Sequence, residues 1–184
     1  MMYSKLGTLG KDKDDVTCSI LAAKSMLSVE EIVAYEQFEI ASEALITKEI
    51  DAMLVPCAYP MIGSFIMHRM LCVAGTYLYQ IPPLVFASAQ SDVARHYDVL
   101  YNHIATDHLL SETGVDWSRH QHVSSNTYAC TELLKSSGRS CAITNEVCAS
   151  RYGLHINKVL REAIMMPFLI FVNIEMGGEI GGKN

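Results

Sequence analysis

The stretch from Ser124 to Leu154 constrains the fold of this 184-residue chain more than any other. Small hydroxyl and amide residues open it, and a helical pattern follows from Tyr128 to Lys135. A short apolar run at Cys141–Ile143 then meets the polar triplet Thr144-Asn145-Glu146, where a second helix begins. Each loop-to-helix junction presents unpaired N–H groups and a partial positive charge, so each is a candidate anion site.

The first third of the chain alternates between strand and helix patterns. The predicted strands are 3–9, Val33–Phe38 and Ala52–Val55, and the predicted helices are Thr17–Leu27, capped by Asp15 or Thr17, and Glu39–Lys48. The helix residues predicted to face the core are Ile20, Ala23, Leu27, Ile40, Ala44 and Leu45. This β-α-β-α-β order is typical of a parallel sheet covered by helices.

The middle of the chain is divided by Pro82 and Pro83, which fix an extended connector. The remaining predicted elements are strands at Met70–Tyr79 and Leu84–Ala89, a mixed and partly helical segment at Ser91–Tyr101, a short strand at Asn102–Thr106, a polar loop at Thr113–His122 and a returning strand at Ile164–Val172. This order continues the alternation of the first third and predicts an α/β fold.

Composition narrows the class of protein. Half of the residues are hydrophobic and 18% are charged, which is typical of a globular chain. The net charge of −6 disfavours a nucleic-acid partner. The six cysteines lack the spacing of zinc sites, so we expect reduced thiols and a cytoplasmic location. No apolar run is long enough to predict a membrane segment.

The histidines raise the question of a metal site, because five of them fall in one region: His96, His103, His108, His120 and His122. None of the usual spacings such as HExxH is present, and the last two are expected in a polar loop. The histidine spacing therefore predicts no metal site.

Three segments, in order, resemble the prephenate dehydratase-like family: LGTLGKDKDDVTCSILAAK, AMLVPCAYPMIG and SSNTYACTELLKSSGRSCAITNEVCASRYGL. Within that family the chain is most similar to the prephenate decarboxylases of bacilysin biosynthesis. It shares with them Val-Pro-x-Ala-Tyr, from Val55 to Tyr59, and Thr-Asn-Glu, from Thr144 to Glu146.

The resemblance implies a two-lobed α/β fold like that of type II periplasmic-binding proteins, with the ligand held between the lobes. Lobe 1 would comprise residues 1–80 and the returning strand 161–176. Lobe 2 would comprise residues 83–160, and residues 177–184 would form a flexible tail.

The resemblance also implies an activity, which one departure from the family narrows and a second leaves open. Prephenate dehydratases carry Thr-Arg-Phe on the returning strand, whereas Met165–Phe171 contains no such motif. The expected function is therefore a cofactor-independent lyase that decarboxylates prephenate, or a close analogue, without aromatisation in antibiotic or other specialised-metabolite biosynthesis, as a homodimer. The altered first loop, GKDKDD, leaves open a non-catalytic small-anion binding module, and an enzyme acting on another small carboxylate through Cys57 is a third interpretation.

The resemblance gives each candidate residue a role. Tyr59 and Thr144 are the expected catalytic residues, and the expected substrate-binding residues are Thr17, Ser19, Cys57, Ala58, Ser125, Asn126, Thr127, Asn145 and Phe168. Most would donate hydrogen bonds to substrate carboxylates, and Phe168 would form an apolar wall. Without the resemblance, Ser, Thr and Asn at helix starts are ordinary caps, and Tyr59 packs a proline-rich turn.

Overall fold

The computed structural model describes residues 2–91 and 94–177 and contains two five-stranded sheets. The strands are β1 Tyr3–Leu9, β2 Val29–Tyr35, β3 Ala52–Pro56, β4 Leu71–Ile81, β5 Leu84–Ser88, β6 His96–His103, β7 Asp116–Val123, β8 Ser140–Asn145, β9 His155–Arg161 and β10 Ile164–Asn173. The helices are α1 Cys18–Lys24, α2 Phe38–Ile46, α3 Ile62–Ile66, α4 Asn126–Lys135, α5 Glu146–Arg151 and α6 Ile174–Gly177, with a 3-10 helix at Ile104–Glu112.

The chain divides into two compact units. Unit 1 comprises Met1–Asp15, Ser19–Gln80 and Met165–Asn184, and unit 2 comprises Val16–Cys18 and Ile81–Ile164. Unit 2 therefore takes three residues from the beginning of the chain. Most of the expected flexible tail, from residue 178 onward, lies outside the described residues.

Unit 1 is built on a sheet with the strand order β2-β1-β3-β10-β4, here called sheet 1. β1 runs parallel to both β2 and β3, which confirms the β-α-β-α-β pattern expected from the sequence. β10 returns antiparallel to β3, with Phe168 opposite Pro56 and Phe171 opposite Met53. Strand β3 is buried over Ala52–Val55, as its continuous apolar sequence requires.

Two core residues of the first helices were predicted wrongly. α1 ends at Lys24, so Leu27 lies beyond the helix and is fully exposed. Ile40 on α2 is 49% exposed, whereas Phe38 is buried in its place. Ala44 and Leu45 are buried as predicted, and Phe38, the first residue of α2, belongs to the same core cluster.

Unit 2 is built on a sheet with the order β7-β6-β8-β5-β9, here called sheet 2. β6, β7 and β8 are mutually parallel, whereas β5 runs antiparallel to β8 and β9. Alternate residues of its strands enter separate cores: Val85 and Tyr101 belong to one, Phe86 and Leu100 to the other. A sheet buried on both faces explains why β8 is apolar throughout its middle.

Three predictions for the middle of the chain are corrected by the structure. The described part of Ser91–Tyr101 leads into strand β6 rather than a helix, and its burial alternates from His96 to Val99. The expected strand at Asn102–Thr106 is the end of β6 followed by the 3-10 helix. The expected polar loop Thr113–His122 is largely strand β7. β7 is an edge strand with no fully buried residue, so its sequence carries no apolar alternation.

Candidate functional site

Most of the polar candidate site residues that the sequence predicted in unit 2 lie at the carboxyl edge of sheet 2. The parallel strands β6, β7 and β8 end at His103, Val123 and Asn145, and a helix begins after each of them. Ligands of open α/β sheets commonly bind beyond the carboxyl ends of the strands. This edge is therefore the candidate site of unit 2.

The start of α4 is held by its own side chains. Ser125 is the N-cap, and its Oγ accepts a hydrogen bond from the N–H of Tyr128 at 3.2 Å. Thr127 is buried, with its Oγ1 3.6 Å from Cys148 Sγ. Asn126 is half-buried and donates from Nδ2 to Cys18 Sγ at 3.5 Å. The hydroxyl groups of Ser125 and Thr127 thus contact other protein atoms, whereas Asn126 remains partly accessible to solvent.

The start of α5 is tied to the start of α4. Asn145 caps α5, because its Oδ1 accepts a hydrogen bond from the N–H of Cys148 at 2.8 Å. Thr144 is fully buried and donates from Oγ1 to the carbonyl of Asn126 at 3.0 Å. Its oxygen also accepts a hydrogen bond from Cys130 Sγ. The structure therefore brings together four of the predicted residues, Asn126, Thr127, Thr144 and Asn145, through contacts that fix both helix starts.

The segment Val16–Cys18 completes this arrangement. Its Val16 carbonyl accepts hydrogen bonds from Asn145 Nδ2 at 3.0 Å and from Cys148 Sγ at 3.3 Å. Thr17, one of the predicted binding residues, is 2% exposed. The segment thus joins Thr17 to the same group of helix starts, although more than a hundred residues separate them in the sequence.

The thiols around these helix starts are held in the protonated form. Burial raises the pKa of Cys18 to about 11, against the hydrogen bonds from Asn145 and Asn126. A hydrogen bond with Cys130, followed by burial, raises the pKa of Cys148 well above its ordinary value. Since the thiolate is the nucleophilic form, neither thiol is prepared for nucleophilic chemistry at neutral pH.

Three of the predicted residues of unit 1 follow the end of β3. Tyr59 packs against the rings of Phe38 and Phe65, and its hydroxyl donates to Glu39 Oε1 at 2.6 Å. Burial, together with that hydrogen bond, raises the pKa of Tyr59, which keeps the phenol neutral. Cys57 and Ala58 are exposed, and burial still raises the pKa of the Cys57 thiol. A raised pKa disfavours the interpretation of Cys57 as an activated nucleophile.

The other two predicted residues of unit 1 are buried. Phe168 on β10 is completely buried, so its ring has no surface accessible to a ligand in this structure. Ser19 is 4% exposed near the start of α1. Within unit 1, the structure thus leaves Cys57, Ala58 and part of Tyr59 accessible.

Sequence reasoning missed a cluster at the ends of β6 and β7, formed by Asn102, Asp107, His120 and His122. His122 Nε2 lies 2.8 Å from Asp107 Oδ1, and His120 Nε2 lies 2.5 Å from Asn102 Oδ1. Burial opposes ionisation of Asp107, but hydrogen bonds from Asn102 and His122 outweigh it and lower the pKa of this carboxyl. Two histidines at i and i+2 were the signal for this cluster, and the polar-loop interpretation hid it because only a strand places such residues on one face.

His103 lies beside this cluster as the N-cap of the 3-10 helix. Its Nδ1 accepts a hydrogen bond from the N–H of Ala105 at 3.2 Å. Burial, reinforced by the charge of His122, lowers the pKa of His103 to about 4. His103 is therefore a neutral, structural imidazole at neutral pH.

No protein-family model and no curated protein matches the sequence. Among solved structures, the chain is similar to prephenate dehydratase from Arthrobacter aurescens in complex with L-Phe, with a TM-score of 0.64 and 14% identity over 92% of this chain and 60% of that one. It is similar to the quorum-quenching acylase GqqA, with a TM-score of 0.61 and 13% identity over 92% of this chain and 64% of that one. For the methionine-binding protein MetQ the TM-score is 0.60 and the identity 16%, over 95% of this chain and 84% of that one.

These similarities establish the fold. It is a two-lobed α/β fold of the prephenate dehydratase-like kind, shared with binding proteins, which confirms the fold class predicted from the sequence. The chain spans about three fifths of the length of the dehydratase and the acylase. Among the helices of residues 2–91 and 94–177, none is long and apolar enough to cross a membrane.

Proposed function

We propose that this chain binds a small organic carboxylate, with prephenate as the first candidate, at the carboxyl edge of sheet 2. The observation that carries the proposal is the start of α4, where a ten-residue helix begins beside the half-buried amide of Asn126. A helix N-terminus favours negative charge, and an amide N–H is a good donor to a carboxylate.

Rigid support around Asn126 favours binding. Its carbonyl accepts the hydrogen bond from Thr144, and Ser125 caps the helix that Asn126 begins. Donors that are already fixed lose little conformational entropy when a ligand binds. In this interpretation Ser125, Thr144 and Asn145 are positioning residues, and Asn126 is the residue that touches the carboxylate.

We further propose that the chemistry carried out on a bound prephenate-like acid is decarboxylation without aromatisation. The supporting observation is β10, where Met165–Phe171 stands in place of the Thr-Arg-Phe motif of prephenate dehydratases. Loss of carbon dioxide needs no cofactor when the acid is held so that the ring diene accepts the electron pair and a proton is then delivered to the ring. Positioning and fixed dipoles would supply the rate enhancement.

Calorimetry with prephenate and a panel of mono- and dicarboxylates tests the binding. We expect Asn126→Ala to weaken binding by about tenfold or more, because a hydrogen bond to a charged group is lost. Asn157→Ala is the matched control, since Asn157 is also half-buried but lies on β9 and donates to Ser88 Oγ at 2.8 Å. Equal affinities of the two variants would contradict the proposed site.

Product analysis tests the activity separately from the binding. Incubation with prephenate, followed by mass spectrometry, should show loss of carbon dioxide and no phenylpyruvate. Phenylpyruvate as the main product would establish a dehydratase instead. Tight binding without turnover would leave the binding proposal standing and remove the decarboxylase.

A further inference from the structure

Two histidines and one carboxylate converge on the surface of unit 2. His120 and His122 lie two residues apart on β7 and therefore on the same face, with ring centroids 4.6 Å apart. Asp107 approaches from the first turn of the 3-10 helix, and His122 Nε2 lies 2.8 and 3.0 Å from its two oxygens. One ligand atom from each of the three residues lies within 4.8 Å of the others.

The buried side-chain amide of Asn102 orients two members of this cluster. Asn102 is fully buried on β6, opposite His122 in the register of the two strands. Its Nδ2 donates to Asp107 Oδ1 at 2.9 Å, and its Oδ1 faces His120 Nε2 at 2.5 Å. Asn102 thus fixes the carboxylate and one imidazole at the same time.

The contact between Asn102 Oδ1 and His120 Nε2 determines which ring nitrogen of His120 carries the proton. Asn102 Nδ2 also donates to Thr106 Oγ1 at 3.1 Å, which places the amide nitrogen on the side away from His120. An amide oxygen can only accept, so Nε2 of His120 carries the proton and Nδ1 carries the lone pair. Histidines that bind metals typically donate one ring N–H to an oxygen in this way.

We propose that Asp107, His120 and His122 bind a divalent transition-metal ion, with zinc as the reference ion. Two imidazoles and one carboxylate suit zinc and its neighbours better than calcium or magnesium, which prefer oxygen ligands. Three protein ligands leave a coordination position for water or for a ligand. This inference does not depend on the proposed carboxylate function.

The geometry of the cluster fits such an ion after small side-chain adjustments. Bonds of about 2.0–2.1 Å in a tetrahedral site separate the ligand atoms by about 3.3 Å. The contact between His122 and Asp107 is shorter than this, because a shared proton holds the two groups together, and the metal takes the place of that proton. The side chains of His122 and Asp107 are 45% and 41% exposed, so an ion reaches them without opening the fold.

The cluster contains one group more than an ordinary hydrogen-bonded histidine–aspartate pair, which would consist of His122 and Asp107 alone. The third group is His120, whose ring lies edge-to-face against His122 and whose Nε2 is hydrogen-bonded to the same amide as Asp107. A His-x-His pair with a carboxylate and a buried orienting amide is the arrangement of a metal site with its outer shell.

Titration of the chelator-treated full chain with Zn²⁺ alone tests the proposal. We expect one equivalent to bind with a micromolar or lower Kd and to raise the Tm. His120→Ala and His122→Ala should each weaken this binding by at least tenfold. Co²⁺ should give the visible absorption bands of a four- or five-coordinate ion in the unmodified chain and lose them in both variants.

His96→Ala is the matched control. His96 lies on β6 of the same sheet, is exposed and bonds to Ser118 Oγ at 2.8 Å, outside the cluster. It should bind Zn²⁺ as tightly as the unmodified chain. Metal-free Tm values of all three variants separate loss of the site from loss of the fold.

Failure of Zn²⁺ to bind would overturn the proposal. Equal binding by the unmodified chain and by His120→Ala and His122→Ala would overturn it as well, because the ion would then lie elsewhere, for example on the exposed thiol of Cys57. Since no carboxylate is present in the titration, neither result bears on the proposed small-acid site.

Discussion

Asn145 combines two functions in one buried side chain. Its oxygen caps α5, and its nitrogen bonds the carbonyl of Val16. The sequence indicated the cap, because Asn followed by an apolar helix is a common start signal. It did not indicate the contact with Val16, since nothing local to either residue specifies a partner more than a hundred positions away.

We therefore expect Asn145→Ala to lower the free energy of unfolding by about 1–3 kcal/mol. Loss of a cap costs about 0.5–2 kcal/mol, and loss of one hydrogen bond to the Val16 carbonyl, which keeps Cys148 Sγ as a donor, costs about 0.5–1.5 kcal/mol. Chemical denaturation measures the change. Glu146→Ala, at the exposed next position, is the control and should cost less than about 1 kcal/mol. If the two variants lost the same stability, the contact with Val16 would have no energetic role.

At the scale of elements, the packing around strand β1 of sheet 1 leaves no space for a side chain at Gly7. Gly7 lies on β1 between β2 and β3, and a Cβ there would lie within 3.0 Å of Ile50 Cδ1 and at 3.0 Å from Tyr35. Gly75 lies on edge strand β4, where the nearest atom to a Cβ, Ile170 Cδ1, is 3.9 Å away. An alanine would therefore displace packed side chains at Gly7, whereas at Gly75 it would meet only ordinary contact distances.

Gly7→Ala should destabilise the protein by about 1–3 kcal/mol, because buried Ile50 has to move within a packed core. Gly75→Ala should be neutral or stabilise by up to about 1 kcal/mol, since alanine reduces the entropy of the unfolded chain without a clash. Thermal and denaturant unfolding of the pair provide the comparison. A larger loss at Gly75 than at Gly7 would refute the packing argument.

The elements that the sequence predicted well are those whose signals are local. α4, β8 and α5 follow from helical spacing, a short apolar run and polar residues at the helix starts, and the structure places all three within a few residues of the prediction. β7 could not be predicted in the same way. An edge strand has one unpaired side and few buried residues, so its identity depends on its neighbour β6 rather than on its own pattern.

The contrast between local signals and dependence on a distant neighbour also explains which candidate-site residues the sequence identified. The residues at the helix starts were identified from capping patterns, although their partners became visible only in three dimensions. The cluster of Asp107, His120 and His122 combines a 3-10 helix with an edge strand, and neither element was predicted. The sequence did not predict this cluster because it did not predict the two elements that carry it.

At the scale of the whole molecule, unit 1 depends on β10, the last strand among the residues that the structure describes. β10 lies between β3 and β4, and its Phe168 and Phe171 are completely buried. Without β10 these two strands have no common neighbour in sheet 1, and both would present unpaired edges.

Truncation after Glu162 should therefore abolish cooperative unfolding and promote aggregation. Truncation after Gly177 is the control, because it keeps every strand of sheet 1. Circular dichroism melts and size-exclusion chromatography distinguish the two chains. A cooperative transition at an unchanged Tm in the shorter chain would show that sheet 1 forms without β10.

The contribution of Val16–Cys18 to unit 2 has a consequence for how the protein assembles. Asn145 and Cys148 bond the Val16 carbonyl across 129 and 132 residues of sequence. Closing so long a loop is entropically costly and slows folding. During synthesis, residue 16 leaves the ribosome long before its partners do, so unit 2 reaches its final form only after Cys148 has been made.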